Sequence, residues 1–288
     1  MSTPLPALFE LRDDQAVRLE VPGGPANLDR ALLDLPDGVY EALRTRGGAR
    51  FFRLERHCAR AAEGCARAGL PPLDEDLFRR GLDACTRAWG HEAKVRIDLC
   101  AEPPAAFGAQ TRILYSFRPL VLPTPEVYAD GVGVRIAEGL ARHDPEVKGT
   151  AFIAQRARRP LLEDDYESVL VDEHGYLLEC VMSNLFLVRG GELRTAGHGV
   201  LLGVTRETVL GAAQSLGMPV REEAVHRDEV EQLEEAFLTT SVRGLVPIVR
   251  LGGVTLGTGR PGPWTQRLSE AYEDAVERGS ARAWPREP

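Results

Sequence analysis

Between residues 54 and 89 the apolar positions recur at helical spacing. Leu54, Cys58, Ala61 and Cys65 make one stripe over 54–70, and Leu77, Leu82, Cys85 and Trp89 make a second over 72–89. The pattern then changes, and 93–100 and 111–119 read as strands. The stretch that follows holds Pro123 and Pro125 with no clear period, which marks a linker at 122–130. A second region opens with a strand over 131–139, and a loop containing Asp144-Pro145 leads into a helix over 150–160. Strands are expected at 168–172 and 177–188, parted by the turn-like run 173–176, with a further turn at 189–192. After Gly203 the period turns helical again through Val209, Leu210, Ala213 and Leu216. A strand over 235–241 ends in hydroxyls, a short strand covers 247–251, and a helix covers 265–279. No opening strand is legible before Asp37. The order implies an α+β chain of two domains: a smaller N-terminal α/β domain over 1–121, the linker, and a larger β-rich domain with helices over 131–288.

Composition narrows the function. The chain has 288 residues, 43% of them hydrophobic, which is enough for a core and too many for disorder. Its net charge is −8, and no basic patch is interleaved with aromatics, so nucleic acid is not expected as a partner. No apolar run approaches the roughly 20 residues of a membrane helix. The first residues lack the basic and apolar regions of a signal peptide, and the expected compartment is the cytoplasm. Five cysteines without CxxC spacing give neither a disulfide framework nor a metal site. Among the 35 basic residues only Lys94 and Lys148 are lysines. Arginine serves wherever a permanent positive charge suffices, but only a lysine amine can lose its proton and attack a carbonyl.

Several residues could carry chemistry. Lys148 lies between a proline-containing loop and a helix, whereas Lys94 sits in an alternating strand on the face opposite Val95 and Ile97, where it could be simply solvated. Gly203-Val204-Thr205-Arg206 opens a helix, which suits either an anion at the free N–H groups or an ordinary cap. Thr239-Thr240-Ser241 could bind phosphate oxygens or close an ST-turn. Arg60 carries a fork that fits phosphate, as would many of the other arginines. Glu179 is flanked by apolar residues and needs a partner, either a protonated ring nitrogen or an arginine.

The order of these features resembles the fold type IV, or class IV, pyridoxal-phosphate-dependent aminotransferases, which include branched-chain and D-amino acid aminotransferases and aminodeoxychorismate lyases. The resemblance runs from Asp37 to Leu268 through DGVYEALRT, FRLERHCAR, VKGTAF, GYLLECVMSNLFLV, GELRTA, LLGVTRETVL, EAFLTTSVRGLVPI and GTGRPGPWTQRL. It implies a two-domain fold of that family and pyridoxal 5'-phosphate as cofactor. It implies Lys148 as the Schiff-base lysine, Glu179 as the carboxylate on the pyridine nitrogen, and Arg60, Val204, Thr205 and Ser241 as phosphate ligands. Leu201 would pack on the cofactor ring and Asn184 would support the cofactor strand. Tyr40, Arg96 and Val242 align with substrate-pocket positions, although Arg96 could equally make a structural pair. Ala151 and Ala196 depart from residues common in relatives, which bears on the substrate. The expected activity is transfer of an amino group from an amino acid or amine to a 2-keto acid. The alternative is a 4-amino-4-deoxychorismate lyase releasing pyruvate and 4-aminobenzoate, towards which Lys94-Val95, TRIL and Glu179-Cys180 lean. A homodimer, with the pocket partly built by the neighbouring chain, is also implied.

Overall fold

The structure, a computed structural model, describes residues 3–137, 139–140, 142, 144–157 and 165–284. In chain order the first elements are β1 (Ala7–Arg12), β2 (Gln15–Leu19), α1 (Leu28–Ala31), β3 (Gly38–Arg44), β4 (Arg50–Phe52), α2 (Leu54–Arg67), α3 (Glu75–Trp89), β5 (Ala93–Cys100) and β6 (Ile113–Pro119). There follow α4 (Pro125–Asp130), β7 (Val132–Ala137), α5 (Thr150–Ala157), β8 (Glu167–Val171), β9 (Tyr176–Cys180), β10 (Asn184–Arg189), β11 (Glu192–Arg194) and α6 (Val204–Ser215). The last are β12 (Val220–Arg221), β13 (Val225–His226), β14 (Glu235–Thr240), β15 (Gly244–Leu251), β16 (Val254–Thr255), α7 (Pro263–Gly279) and β17 (Ser280–Arg282). By contacts the chain divides into two units, one of Met1–Val121, Val147–Gln155 and Gly279–Pro288, the other of Leu122–Glu146 and Arg156–Arg278.

The first unit is built on a five-stranded sheet of order β2-β1-β6-β5-β3, antiparallel throughout. Strand alternation turns Val39, Val95, Ile97, Tyr115 and Phe117 to one face, where they join Leu54, Cys58, Cys65, Phe78, Leu82 and Cys85 of α2 and α3 in one core. The α3 stripe is rotated from the expected one: Phe78 is fully buried and Leu77 only partly. Asp74 caps α3 by accepting from Leu77 N–H at 2.9 Å, and Gly90 at φ 75° ends it. Gly81 lets α3 press onto β6, since a Cβ there would stand 2.2 Å from the Tyr115 hydroxyl. The opposite face of the sheet gives Leu8, Cys100 and Leu114 to a second core with Leu28, Ala31, Leu32 and Leu35.

Two opening strands precede Asp37, where none was legible. They are joined by Asp13 and Asp14 at φ 47° and 58°, a left-handed pair that closes the hairpin without glycine. The expected boundaries also differ from the contact units. Residues 147–155 run beside β3, and β17 pairs with β4, so both tracts fall with the first unit and not with the C-terminal one. The tract expected as a linker carries α4, with Pro125 at its first turn, where the missing N–H costs nothing.

The second unit holds a ten-stranded mixed sheet, β12-β11-β10-β14-β15-β7-β8-β9-β13, with β16 on β15. The expected single strand over 177–188 is two strands. Cys180 N–H donates to Ser183 carbonyl at 2.8 Å, and the chain reverses through Val181–Ser183 because the polar Ser183 and Asn184 end the apolar run. β9 and β10 are far apart in the ladder order yet joined by three residues, so this sheet curls back on itself. The residues expected to end the helix over 150–160 lie partly outside the described ones, and α5 is described to Ala157.

Candidate active site

In the first unit the chain around Lys148 is stitched to β3 by backbone groups. Tyr40 N–H donates to the Lys148 carbonyl at 2.9 Å, Gly149 bridges Val39, and Gly38 N–H donates to Thr150 Oγ1 at 2.8 Å. The Lys148 amine lies over the Tyr40 ring, 4.8 Å from its centroid, and the Arg96 guanidinium lies over the same ring at 4.9 Å. Arg96 is also held by Asp98, to which its Nε donates at 2.9 Å and its Nη2 at 2.5 Å.

One residue further along β3, alternation points Glu41 to the opposite face, where it is fully buried against α2. His57 Nδ1 stands 2.8 Å from its carboxylate, and Arg60 forks onto it with Nε at 2.8 Å and Nη2 at 2.6 Å. Burial pushes the Glu41 carboxyl up, but the Arg60 charge and the hydrogen bonds from His57 and Arg60 outweigh it and hold the group well below the carboxylate range. Burial also dominates at His57 and pushes it below its ordinary value, against the upward pull of Glu41. Because a carboxylate only accepts, the neutral imidazole carries its proton on Nδ1. Arg60, expected as a phosphate ligand, therefore commits two of its nitrogens to a carboxylate that sequence reasoning passed over. The signal was present, since Glu41 shares a strand face with the inward Val39 and Leu43.

In the second unit Glu179 is buried between a guanidinium and two hydrogen-bond donors. Arg142 Nε approaches its Oε1 at 2.6 Å, and its Oε2 accepts from Asn184 Nδ2 at 3.1 Å and from Leu201 N–H at 3.2 Å. Asn184 Nδ2 also donates to the Leu201 carbonyl at 2.6 Å, so Glu179, Asn184 and Leu201 form one knot. Arg142 was missed because a partner 37 positions away in sequence leaves no local pattern. Gly203 ends the loop after Leu201, and α6 begins at Val204 with no side chain capping its N–H groups. Thr205 Oγ1 lies 3.5 Å from Ser241 Oγ, which sits in the turn between β14 and β15 with Val242. That turn is fastened from beneath. Arg243 N–H donates to Thr240 Oγ1 at 2.9 Å, and Arg243 Nη2 donates to Glu167 Oε2 and Ser183 Oγ, each at 2.8 Å. Thr240 thus closes an ST-turn while Ser241 stands beside α6.

In the first unit Lys148, Tyr40 and Arg96 gather on one face of β3 while Arg60 lies with Glu41 on the other, and Glu179, Asn184, Leu201, Val204, Thr205, Ser241 and Val242 all fall in the second unit. The model of the amino-transferase class IV family matches residues 38–251. The chain is 33% identical over 260 residues to a probable branched-chain-amino-acid aminotransferase of Thermotoga maritima, covering 87% of this chain and 91% of that one. It belongs to the class IV aminotransferase family.

A D-alanine aminotransferase of Bacillus licheniformis is 24% identical over 83% of this chain and 88% of its own. The solved T.th. branched-chain amino acid aminotransferase with pyridoxamine 5'-phosphate has the same fold, at a TM-score of 0.77, 20% identity, and coverage of 98% of this chain and all of that one, 100%. As a class IV aminotransferase the chain is a pyridoxal-phosphate-dependent transaminase acting on amino acids and keto acids, and these relatives do not favour the lyase alternative. No described helix is long and apolar enough to cross a membrane.

The residues present fit the cofactor. A class IV aminotransferase needs a buried carboxylate, and Glu179 has the Arg142 charge and two hydrogen-bond donors around it. It needs an anion cradle, and the start of α6, whose N-cap Gly203 makes no side-chain cap, carries the Thr205 hydroxyl beside that of Ser241. The cradle is packed without slack: a Cβ on Gly203 would stand 2.1 Å from Asn184 Oδ1. The Gly203→Ala variant is expected to displace Asn184 and so loosen the Glu179 knot. Such overpacking costs about 1–3 kcal/mol, equivalent to about five- to 150-fold in cofactor affinity. Titration of apoprotein with pyridoxal phosphate reads this out, and an unchanged affinity would detach Gly203 from the site.

Proposed function

We propose that this aminotransferase holds its cofactor through Lys148 and uses the same amine as the proton carrier of amino transfer. The supporting observation is the threefold stitching of 148–150 to β3, which fixes where that amine starts without drawing on the lysine side chain. Glu179 would face the ring nitrogen. Val204 and Thr205 at the start of α6, with Ser241, would hold the phosphate, and Arg60 would add positive charge while Glu41 keeps its fork oriented. Leu201 would pack on the ring, Asn184 would steady Glu179, and Tyr40, Arg96 and Val242 would line the substrate pocket. When bound, the cofactor supplies an aldehyde that captures amines and a ring that accepts the electron pair of the neighbouring carbon.

Displaced from the cofactor by the incoming substrate amine, the freed Lys148 amine would take the proton from the carbon next to the substrate nitrogen and return it to the carbon on the other side of that nitrogen. The donor is an amino acid and the acceptor a 2-keto acid. The reading includes a homodimer in the cytoplasm, supported by family membership and by five thiols that are all buried and free. A screen of amino donors against 2-keto acids on purified holoenzyme tests it. Amino transfer that requires the acceptor is expected. Release of pyruvate from aminodeoxychorismate without any acceptor would establish the lyase instead, and sedimentation at the monomer mass would remove the dimer.

A further inference from the structure

Two turns of the second unit meet on one buried carboxylate. Asn184 of β10 stands directly opposite Thr239 of β14, so the reversal at 181–183 and the turn at 241–243 lie side by side at one end of the sheet. Glu167, the first residue of β8, is fully buried and takes donors from both. Its Oε1 accepts from Met182 N–H at 2.6 Å, and its Oε2 accepts from Ser183 Oγ and Arg243 Nη2, each at 2.8 Å. Arg243 Nη2 also donates to Ser183 Oγ at 2.8 Å, and its guanidinium lies over the Tyr166 ring, 5.2 Å from the centroid. The Arg243 carbonyl accepts from the Tyr128 hydroxyl at 2.8 Å, which pins the same turn to α4.

Each turn carries one end of the cofactor site. The reversal joins Glu179 and Cys180 to Asn184, and so belongs to the knot around the Glu179 carboxylate. The other turn carries the Ser241 hydroxyl beside Thr205. The Cys180 thiol, pushed well up by burial, feels the charges of Glu167, Arg243 and Glu179 alike, so the anchor and the knot share one neighbourhood. A buried ion pair is a weak source of stability, because uncharged groups of similar volume serve as well or better. What it fixes is direction: three donors converging on two oxygens leave each turn one orientation. Pyridoxal phosphate is a planar ring with a short arm. Its nitrogen and its phosphate stand at a narrow range of separations, and the two grips must match it.

We propose that Glu167 is a positioning residue that sets the span between the ring-nitrogen carboxylate and the phosphate grip, with Ser183 and Arg243 as its arms. This rests on Glu179 meeting the ring nitrogen and Ser241 meeting the phosphate, and it gives a task to a buried pair that the chemistry itself does not use. A misplaced grip still binds its own fragment of the cofactor. What is lost is the gain from linking the two fragments in one molecule, which requires both grips to be engaged at once.

Calorimetric titration of the full-length apoprotein with pyridoxal, inorganic phosphate and pyridoxal phosphate separates these effects. In the parent, pyridoxal phosphate should bind about a hundredfold or more tighter than pyridoxal. Glu167→Asp keeps the charge opposite Arg243 and shortens the reach by one carbon. It should cut that ratio about tenfold or more, with pyridoxal and inorganic phosphate each within about twofold of the parent. Glu167→Gln combined with Arg243→Met removes both charges of the pair, so it should fold and show the same loss. A ratio that either variant leaves intact overturns the positioning role, and so does weakening of the fragments in step with the whole cofactor, the mark of a site that has merely loosened. Failure of both variants to fold would make the pair a folding element and overturn it as well. Ser241→Ala checks the underlying reading, since it should weaken inorganic phosphate and pyridoxal phosphate and spare pyridoxal. Phosphate binding untouched in Ser241→Ala would sink the assignment of that turn to the cofactor. The expected loss there, with an unchanged ratio in Glu167→Asp, would sink the span alone.

Discussion

Replacing Lys148 with alanine is expected to lower turnover by about four orders of magnitude or more, because the one side chain serves as both nucleophile and proton carrier. The fold should persist. The main-chain hydrogen bonds and Thr150 that fix 148–150 against β3 do not need the lysine side chain, whose contact with the Tyr40 ring is lost. The expected melting temperature therefore stays within a few degrees of the parent, and added small amines restore a fraction of the lost rate. The chain is well suited to a covalent check, since Lys94 and Lys148 are its only lysines. Borohydride reduction of the holoenzyme followed by peptide mapping should place the cofactor mass on the peptide containing Lys148. Label on Lys94, or amino transfer surviving in the variant, would defeat the assignment.

How far the site was legible in sequence depended on whether its partners were local. Lys148 stood out because lysine is nearly absent from the chain, and Glu179 because a carboxylate within an apolar strand demands company. The arrangement around them was not legible. Glu179 meets Arg142 and Leu201 only because β9 reverses into β10 and the sheet curls, and neither event has a period to detect. Arg96 illustrates the opposite case. Arg96 and Asp98 are two residues apart on one strand face, so their pairing was available from alternation alone, and it removes the arginine as a simple carboxylate receptor. The helices α2 and α3 followed their apolar stripes, with α3 turned towards Phe78. The opening hairpin escaped because its turn uses two aspartates in left-handed backbone, where glycine or asparagine is the usual signal. The unit boundaries escaped because the residues after Val147 pair with a strand over a hundred positions earlier.

The strongest stability prediction concerns Glu41. Its carboxylate is fully buried with Arg60 forked onto it and His57 hydrogen-bonded to it, so Glu41→Gln takes the Glu41 charge away from a partly buried guanidinium. Removing one partner of a buried pair costs about 3–5 kcal/mol, and the variant should unfold at markedly lower denaturant. The same cluster sets an acid limit. His57 is depressed below its ordinary 6.5 in the fold, so the unfolded chain binds the extra proton first. Its contribution is complete above that value and falls away as the pH drops from 6.5 towards the folded value. Glu41 is depressed too, and its contribution is complete above 4.5 and is lost on further acidification. Both contributions have the same sign, so stability should decline in two successive stages below neutrality. Removing the imidazole with His57→Gln should abolish the first stage and leave the second, because the Arg60 fork remains. Denaturation midpoints measured from pH 7.5 down to about pH 2 separate the stages, and a midpoint flat through pH 6 in the parent protein would show that His57 is not held neutral by its burial.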